Sequence, residues 1–293
     1  WTPPGRFVRA DVRESGIVRR IFEDFRPDVV WNLAAHPHEG LSQFSPHNVF
    51  TTTAVGSLVV FTETCRVGVK RLVHFSSMAR YGAGDGNPPF AETLPCSPVD
   101  VYGAAKVASE KCLEALAETH GMEYVVIAPH NIYGPWQARW DPARNVLAIW
   151  INQCLRGKDI YIYGDGAQRR AFSDIRDSID GYIRAGIDPS LNREIINVGS
   201  GRDYSIHEAA EHVLSYFPGR TMKHLPDRPR EVKHAFCTID KSVRLLGYED
   251  RIDLPQGIAD MVTWMRSVGP REPIYPVLEL PEHAPQTWRE RLI

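Results

Sequence analysis

The chain has 293 residues, with 34 Lys and Arg against 36 Asp and Glu, a formal charge of −2 and 43% apolar residues. That length holds a full core in one large or two modest domains, and the balanced charge offers no basic field for nucleic acid or an anionic membrane. No apolar run reaches transmembrane length, and Trp1-Thr-Pro-Pro-Gly5 is no signal peptide. The five cysteines, Cys65, Cys96, Cys112, Cys154 and Cys237, share no paired spacing, which fits a reducing compartment better than a disulfide framework. A soluble cytoplasmic protein is the expectation.

Phe7 to Asp11 reads as a short strand ending in an acid, and Ile17 to Phe25 as a short helix that Arg26-Pro-Asp28 stops. Val29-Val-Trp-Asn-Leu-Ala-Ala35 is nearly all apolar, the pattern of a strand covered on both faces. Asn48 to Val67 reads as helix despite its threonines, and Val69 to Phe75 as a strand that ends at Ser76-Ser77. Tyr81 to Val101 is punctuated by Gly and Pro and is expected to lie over a site. A helix from Tyr102 to about Thr119 and a buried strand from Met122 to Ala128 complete the alternation. The fold class is therefore α/β, a parallel sheet with helices on both faces.

The second half changes character. A polar loop with tryptophans follows Pro135, then a helix from about Val146 to Leu155. Asp159 to Tyr163 alternates with period two and is turned by Gly164-Asp-Gly166. A helix follows Asp174, a strand runs from Glu194 to Val198, and Ser205 with Glu208 forms a capping box. The proline-rich tail from Gly269 reads as an extended arm.

The chemistry-bearing pattern is Tyr102-Gly-Ala-Ala-Lys106. Residues four apart share a helix face, with Cβ atoms roughly 5–6 Å apart. An ammonium there favours the phenolate of a tyrosine whose free pKa is about 10. A serine at the end of the neighbouring strand can hydrogen-bond a substrate hydroxyl. Such parts suit reversible proton and hydride transfer at a secondary alcohol. Alone, the Tyr/Lys spacing is better read as a solvated surface pair; its order after Ser76-Ser77 and a parallel-sheet pattern reverses that reading. His36, His38 and Glu39 have metal-like spacing but fall in the loop after Ala35, where substrate contacts are expected; no metal is expected there or at His130. Cys96 has no paired base and reads as a filler. Arg80 stays between two readings, a surface residue or a substrate contact.

From Phe7 to Trp264 these motifs, in order, resemble the extended short-chain dehydrogenase/reductases, within the NAD-dependent nucleotide-sugar epimerase/dehydratase family. The resemblance implies a Rossmann-like domain with NAD as cofactor. Asp11, with Val12, matches the acid that holds the adenine end; Leu33, Ala34 and Ala35 match the segment passing the pyrophosphate and ribose. Ser77, Tyr102 and Lys106 match the catalytic residues, Tyr102 and Lys106 also touching cofactor, as does Pro129. Asn131 matches a substrate-binding turn, and Arg170 and Arg228 match arginines that meet the substrate's diphosphate. Residues 1–130 with 173–200 would form the dinucleotide-binding domain, and 131–172 with 201–293 the substrate lobe and arm.

The resemblance also implies a Gly-rich turn that holds the pyrophosphate. No such turn precedes Phe7, so the expectation is that a longer protein supplies it. By itself this chain would be unstable and hold NAD poorly. Family dehydratases and decarboxylases carry acids directly after the catalytic hydroxyl, where this chain has Met78-Ala79. That favours NAD-dependent epimerisation at C4 of a UDP-hexose through a transient 4-keto sugar. The alternatives are a sugar-nucleotide dehydratase, reductase or 3,5-epimerase, or an inactive scaffold or partner protein. A homodimer is expected through the Tyr102 helix and the Asn48–Val67 helix, with Val101, Ala105, Ala108 and Leu113 at the contact.

Overall fold

The computed structural model describes residues 5–227 and 232–293. Helix α1 (Ser15–Phe25) and strand β1 (Val29–Asn32) precede two short helices, α2 (Glu39–Ser42) and α3 (Pro46–Phe50). A π turn, Thr51–Val55, joins α3 to α4 (Gly56–Arg66), and β2 (Arg71–Phe75) leads into a 3₁₀ turn, Met78–Tyr81. Then come α5 (Val101–His120), β3 (Glu123–Pro129), β4 (Ile132–Tyr133), α6 (Val146–Leu155), β5 (Ile160–Tyr163) and β6 (Arg169–Ala171). They are followed by β7 (Ser173–Asp174), α7 (Ile175–Ile187), β8 (Glu194–Val198), β9 (Asp203–Ser205) and α8 (Ile206–Leu214). The order ends with β10 (Met222–Leu225), β11 (His234–Ala235), α9 (Asp240–Leu246), α10 (Leu254–Val268) and α11 (Gln286–Arg289).

Four strands form one parallel sheet in the order β1-β2-β3-β8. Period-two alternation sorts their side chains onto two faces. Leu72, Tyr124 and Val126 pack with Val18, Phe22, Phe61 and Leu113 from α1, α4 and α5. Val73, Phe75, Val125, Ile127 and Ile196 pack with Tyr182 and Ala185 of α7. Every residue of β2 is buried, as expected of a central strand covered on both sides. The Rossmann-like α/β reading is thus realised, with helices on both faces.

The second lobe is built around α6, α8 and α10, whose Leu147, Trp150, Ala209, Ile258 and Met261 share a core with Ile160 and Ile162 of β5. The capping box at Ser205 and Glu208 is formed, and β5 alternates buried and half-buried residues. Ile239, Leu246 and Tyr248, which the sequence division puts in this lobe, pack instead in the core shared by the parallel sheet and α7.

Three expectations need correction. Phe7 to Asp11 is not a strand but an exposed extended segment, Phe7 being 69% exposed. Among the described residues no strand lies alongside it, and an unpaired segment gains no ladder bonds. Its end is fixed instead by a turn, with Glu14 N donating to Asp11 O. The apolar run at Val29 is a strand only to Asn32 and forms one edge of the sheet as described, leaving Trp31 38% exposed rather than covered on both faces. The helix expected over Asn48–Val67 is interrupted by the π turn at the three threonines. That turn lets Thr53 Oγ1 accept from His36 N, tying the loop after β1 to the helix behind it, a placement typical of π turns near functional sites.

His130, between β3 and β4, is fully buried, and neither ring nitrogen has a hydrogen-bond partner among the described residues. Burial pulls its pKa down from 6.5 to about 4. Between those values the unfolded chain binds a proton that the folded chain refuses, so stability is lost as pH falls. His74, also pushed down by burial, acts in the same direction. From pH 7 to pH 5, His130 alone should cost about 2 kcal/mol. Urea unfolding at both pH values should therefore show a smaller loss for His130→Leu than for the parent, and equal losses would contradict this account.

Candidate active site

The site is assembled where β2 ends and α5 begins. Ser76 N donates to Ile127 O at 2.7 Å, which holds the segment leaving β2 against β3. Ser77 caps the 3₁₀ turn, its Oγ accepting from Ala79 N at 3.1 Å. With one lone pair used in this way, the hydroxyl keeps its proton to donate. Asp100 caps α5 by accepting from Gly103 N at 2.7 Å, so Tyr102 stands in the first turn and Lys106 one turn further on. Gly103 is needed there: a Cβ would lie 2.7 Å from Ala79 O. The absent side chain lets α5 press against the turn that carries Ser77.

Tyr102 is 5% exposed and Lys106 2%. Burial pushes the Tyr102 phenol well above its ordinary range; the Arg144 cation and a hydrogen bond with Ser77 pull it back, while Glu39 and Asp100 push it further up. Lys106 is drawn down to about 7, by burial first, with Glu110 opposing and Arg144 reinforcing the fall. Its Nζ donates to Phe75 O and lies 5.8 Å from the Tyr102 ring centroid. The lysine is therefore anchored to the end of β2.

A cavity of about 360 Å³ opens in front of this pair. The structure brings Ser77, Tyr102, Pro129, Asn131 and Arg170 to its wall, together with Met78 and Ala79. Asn131 has φ +28°, and its Nδ2 donates to Ala171 O at 2.9 Å, bracing β4 against β6. The Arg170 guanidinium donates to the carbonyls of Arg169, Val232 and Lys233, which positions the chain entering β11. Arg228 lies outside the described residues.

Of the residues matched to the cofactor, Asp11, Val12, Leu33, Ala34 and Ala35 lie off that cavity wall. Asp11 is gripped by Arg13, whose Nη2 stands 2.6 Å from Oδ2, and its pKa falls to about 2 mainly through that hydrogen-bonded cation. Arg13 also donates to Asn48 and Thr51. Val12 packs onto Gly56, where an added Cβ would come within 2.6 Å of it. Leu33 is exposed, Ala34 half-buried, and Ala35 packs on Val49, Ala79 and Tyr102. Ala35 alone of these touches the catalytic cluster.

The two histidines after Ala35 are engaged separately. His38 Nε2 pairs with Asp141 at 2.8 Å, across the lobes, and His36 Nε2 meets Asn48 Nδ2 at 3.3 Å. Among the described residues no three His, Cys, Asp or Glu side chains converge as metal ligands. Burial raises the Cys96 thiol, which disfavours a nucleophilic role.

Sequence reasoning missed several residues of the site. Arg144 lines the cavity and acts on both Tyr102 and Lys106. Gln153 lines it fully buried, its amide oxygen and nitrogen both without partners among the described residues. Thr287, Trp288 and Ile293 of the C-terminal arm complete the wall. Local pattern carried no signal for these. Glu110 did have one, since it repeats the four-residue step from Tyr102 to Lys106.

Residues 2–199 match the NAD dependent epimerase/dehydratase family. The UDP-glucose 4-epimerase of Mycolicibacterium smegmatis is 30% identical over 268 residues, covering 89% of this chain and 83% of that protein. The dTDP-glucose 4,6-dehydratase of an Actinoplanes species is 28% identical over 267 residues, covering 90% and 81%. Among solved structures, UDP-glucose 4-epimerase of Thermus thermophilus in complex with NAD has a TM-score of 0.84 at 27% identity, covering 90% of this chain and 86% of that one. The match spans the parallel sheet and the turn, helix and strand ends that seat Ser77, Tyr102 and Lys106, and on that ground the chain belongs to the NAD-dependent epimerase/dehydratase family.

Proposed function

We propose that the complete protein is a nucleotide-sugar epimerase that inverts C4 of a UDP-hexose through a transient 4-keto sugar. The observation that carries this reading is the placement of Ser77 and Tyr102 on one cavity wall whose next positions, Met78 and Ala79, transfer no proton. Of the carboxylates on that wall, Asp100 caps α5 and Glu39 opens α2. Elimination of water needs an acid/base pair at the neighbouring carbons; inversion at C4 does not. The uridine reading leans on the Mycolicibacterium relative, and the dehydratase, reductase, 3,5-epimerase and inactive-scaffold readings become outcomes of the tests below.

The chain fits a dinucleotide along the open ends of the strands. Asp11 presents an ionised carboxylate after an extended segment, and small side chains at Ala34 and Ala35 leave room beside Tyr102. Asp11 and Val12 would take the adenine end, Leu33 to Ala35 the middle, and Lys106, Tyr102 and Pro129 the nicotinamide end. The chemistry a bound NAD supplies is hydride removal at C4 and its return to the opposite ring face. Tyr102, ionised, accepts the C4 hydroxyl proton and later gives it back, and Ser77 donates to the same oxygen. Lys106, when charged, favours that ionised state. Asn131, Arg170 and Arg228 would hold the sugar nucleotide, the arginines at its diphosphate.

The free cysteines fit a reducing cytoplasm, and among the described residues no helix is long and apolar enough to cross a membrane. A homodimer through α4 and α5 is part of this reading. Its contact residues differ from the sequence expectation, because Ala105 and Leu113 are fully buried within their own subunit. Val55 and Leu58, both exposed, with the half-buried Val101, Val107 and Ala108, remain to meet a second copy. Sedimentation at micromolar concentration should give a dimer, and a stable monomer would reject this contact.

Tyr102→Phe should preserve folding and sugar-nucleotide binding while cutting turnover by about 10²–10⁴. Lys106→Ala should in addition lose bound NAD. Near-normal turnover in the phenylalanine variant would sink the mechanism. Incubated with UDP-glucose or its N-acetyl form, the complete protein should give an equilibrium mixture differing at C4, resolved by nuclear magnetic resonance, with no net use of NAD. Accumulation of a 4-keto-6-deoxy sugar would point to the dehydratase, inversion at C3 and C5 to the 3,5-epimerase, product formed only with added NADH to the reductase, and no conversion of any sugar nucleotide to the scaffold.

A further inference from the structure

We propose that Glu110 is a positioning residue for the proton-transfer pair, holding the turn that bears Ser77 and counter-charging Lys106 from one buried carboxylate. The inference rests on the epimerase reading only for the roles of Ser77 and Lys106.

Tyr102, Lys106 and Glu110 stand at successive four-residue steps and form one stripe of α5. Glu110 is 1% exposed, and a carboxylate buried that deeply requires charged or hydrogen-bonding partners. It has both. Arg80 donates Nη2 to Oε2 at 2.8 Å and Nε to Oε1 at 3.2 Å, and Ser76 Oγ donates to Oε1. Arg80, which the sequence left between two readings, is therefore no surface side chain. It is 4% exposed and paired.

The network continues outward from Arg80. Its Nη1 donates to the Tyr81 hydroxyl at 3.0 Å, and that hydroxyl donates to Asn197 Oδ1 in β8 at 2.9 Å. One carboxylate thus ties α5 to the residue before Ser77, to the 3₁₀ turn after it, and through Arg80 and Tyr81 to β8. The position of Ser77 relative to Tyr102 is fixed from both chain directions.

A buried pair that served folding alone would do as well as two apolar residues of the same shape. The geometry around Lys106 separates this case. The charged and titratable groups facing its ammonium are Tyr102 and Glu110 on its own helix, His74 from β2 and Arg144 from the loop before α6. Asn32 Nδ2 meets His74 Nδ1, so the ring proton sits on Nε2 and is donated to Ser109. Fully buried and pushed far down, that histidine is neutral. Arg144 opposes the ammonium, and Glu110 is the anion that supports it.

Two variants of the complete protein test this, Glu110→Gln and the double variant Glu110→Gln/Arg80→Met, the second removing the cation that the first leaves buried without a partner. Lys106 is titrated through its ¹³Cε resonance in lysine-labelled protein with cofactor but no substrate, assigned with Lys106→Arg. In whichever variant folds, the ratio of ammonium to amine at pH 7 should fall about tenfold, the scale of one close opposite charge. The alkaline limb of kcat should move to lower pH, with KM for the sugar nucleotide unchanged. A lower melting temperature with an unmoved Lys106 titration would overturn the proposal and leave a purely structural pair. Because that titration needs no substrate, a moved titration without epimerised product would count against the reaction, and normal product with an unmoved titration against Glu110.

Discussion

Everything in the site depends on how closely α5 lies against the end of β2. At Gly103 the helix approaches the carbonyl of Ala79 to a distance that admits no side chain. One turn on, Lys106 reaches Phe75 O; Ser109 then meets His74, and Glu110 meets Ser76 and Arg80. Beyond these, Leu113 and Ala117 enter the core with Phe61 and Leu72. The apolar end of the helix provides the burial that stabilises the docking. The polar end offsets some of it with desolvated groups that are each hydrogen-bonded. Such a surface has one good register, since a slide by one residue would break every one of these polar contacts at once.

The cavity in front of α5 is closed by elements remote in sequence. Glu279 in the C-terminal arm accepts from His47 N and Asn48 N, both at 2.9 Å, at the start of α3. Phe44 O accepts from Glu279 N and Leu280 N. Further along, Trp288 Nε1 donates to Pro142 O, and the Tyr163 hydroxyl meets Thr287 Oγ1 at 2.6 Å. The arm therefore binds the loop region after β1 on one side and the second lobe on the other, while Trp288 packs with Leu41, Ala284 and Ile293. Together with the His38–Asp141 pair, it holds the two walls at a fixed spacing. A tail that reads as an extended arm is a structural wall of the site.

The elements legible in the sequence were those whose signal is local. The period-two strand at Asp159–Tyr163, the Ser205 capping box and the four-residue step from Tyr102 to Lys106 all act over one or two turns, and all are found where expected. Phe7–Asp11 and Trp31 misled because strand pattern reports what a segment can do, while pairing depends on a neighbour. The π turn was hidden because threonines lower helix propensity without saying how the backbone will adjust. Arg80 was ambiguous for a similar reason: an arginine reads as surface until its buried partner, thirty residues on, is placed beside it. Arg144, Gln153 and the arm belong to the site only through the packing of one lobe on the other, which no local window contains. Arg228 lies outside the described residues.

Burial gives the pair protonation states opposed to its task. It raises the phenol and lowers the ammonium, favouring the neutral form of both groups. What reverses the balance must be positive charge delivered next to the phenol, or negative charge retained next to the lysine, because either favours the charged form of its neighbour. Two charges of the chain already oppose the shifts without reversing them, Arg144 on the cavity wall for the phenol and Glu110 one turn along α5 for the lysine. Their effects on Lys106 have opposite signs. Arg144 helps the phenolate directly but discourages the ammonium; Glu110 sustains the ammonium from one turn further along the same stripe of α5. The two charges can therefore assist the same proton transfer only because the site separates them, one in front of Tyr102 and one a helical turn beyond Lys106.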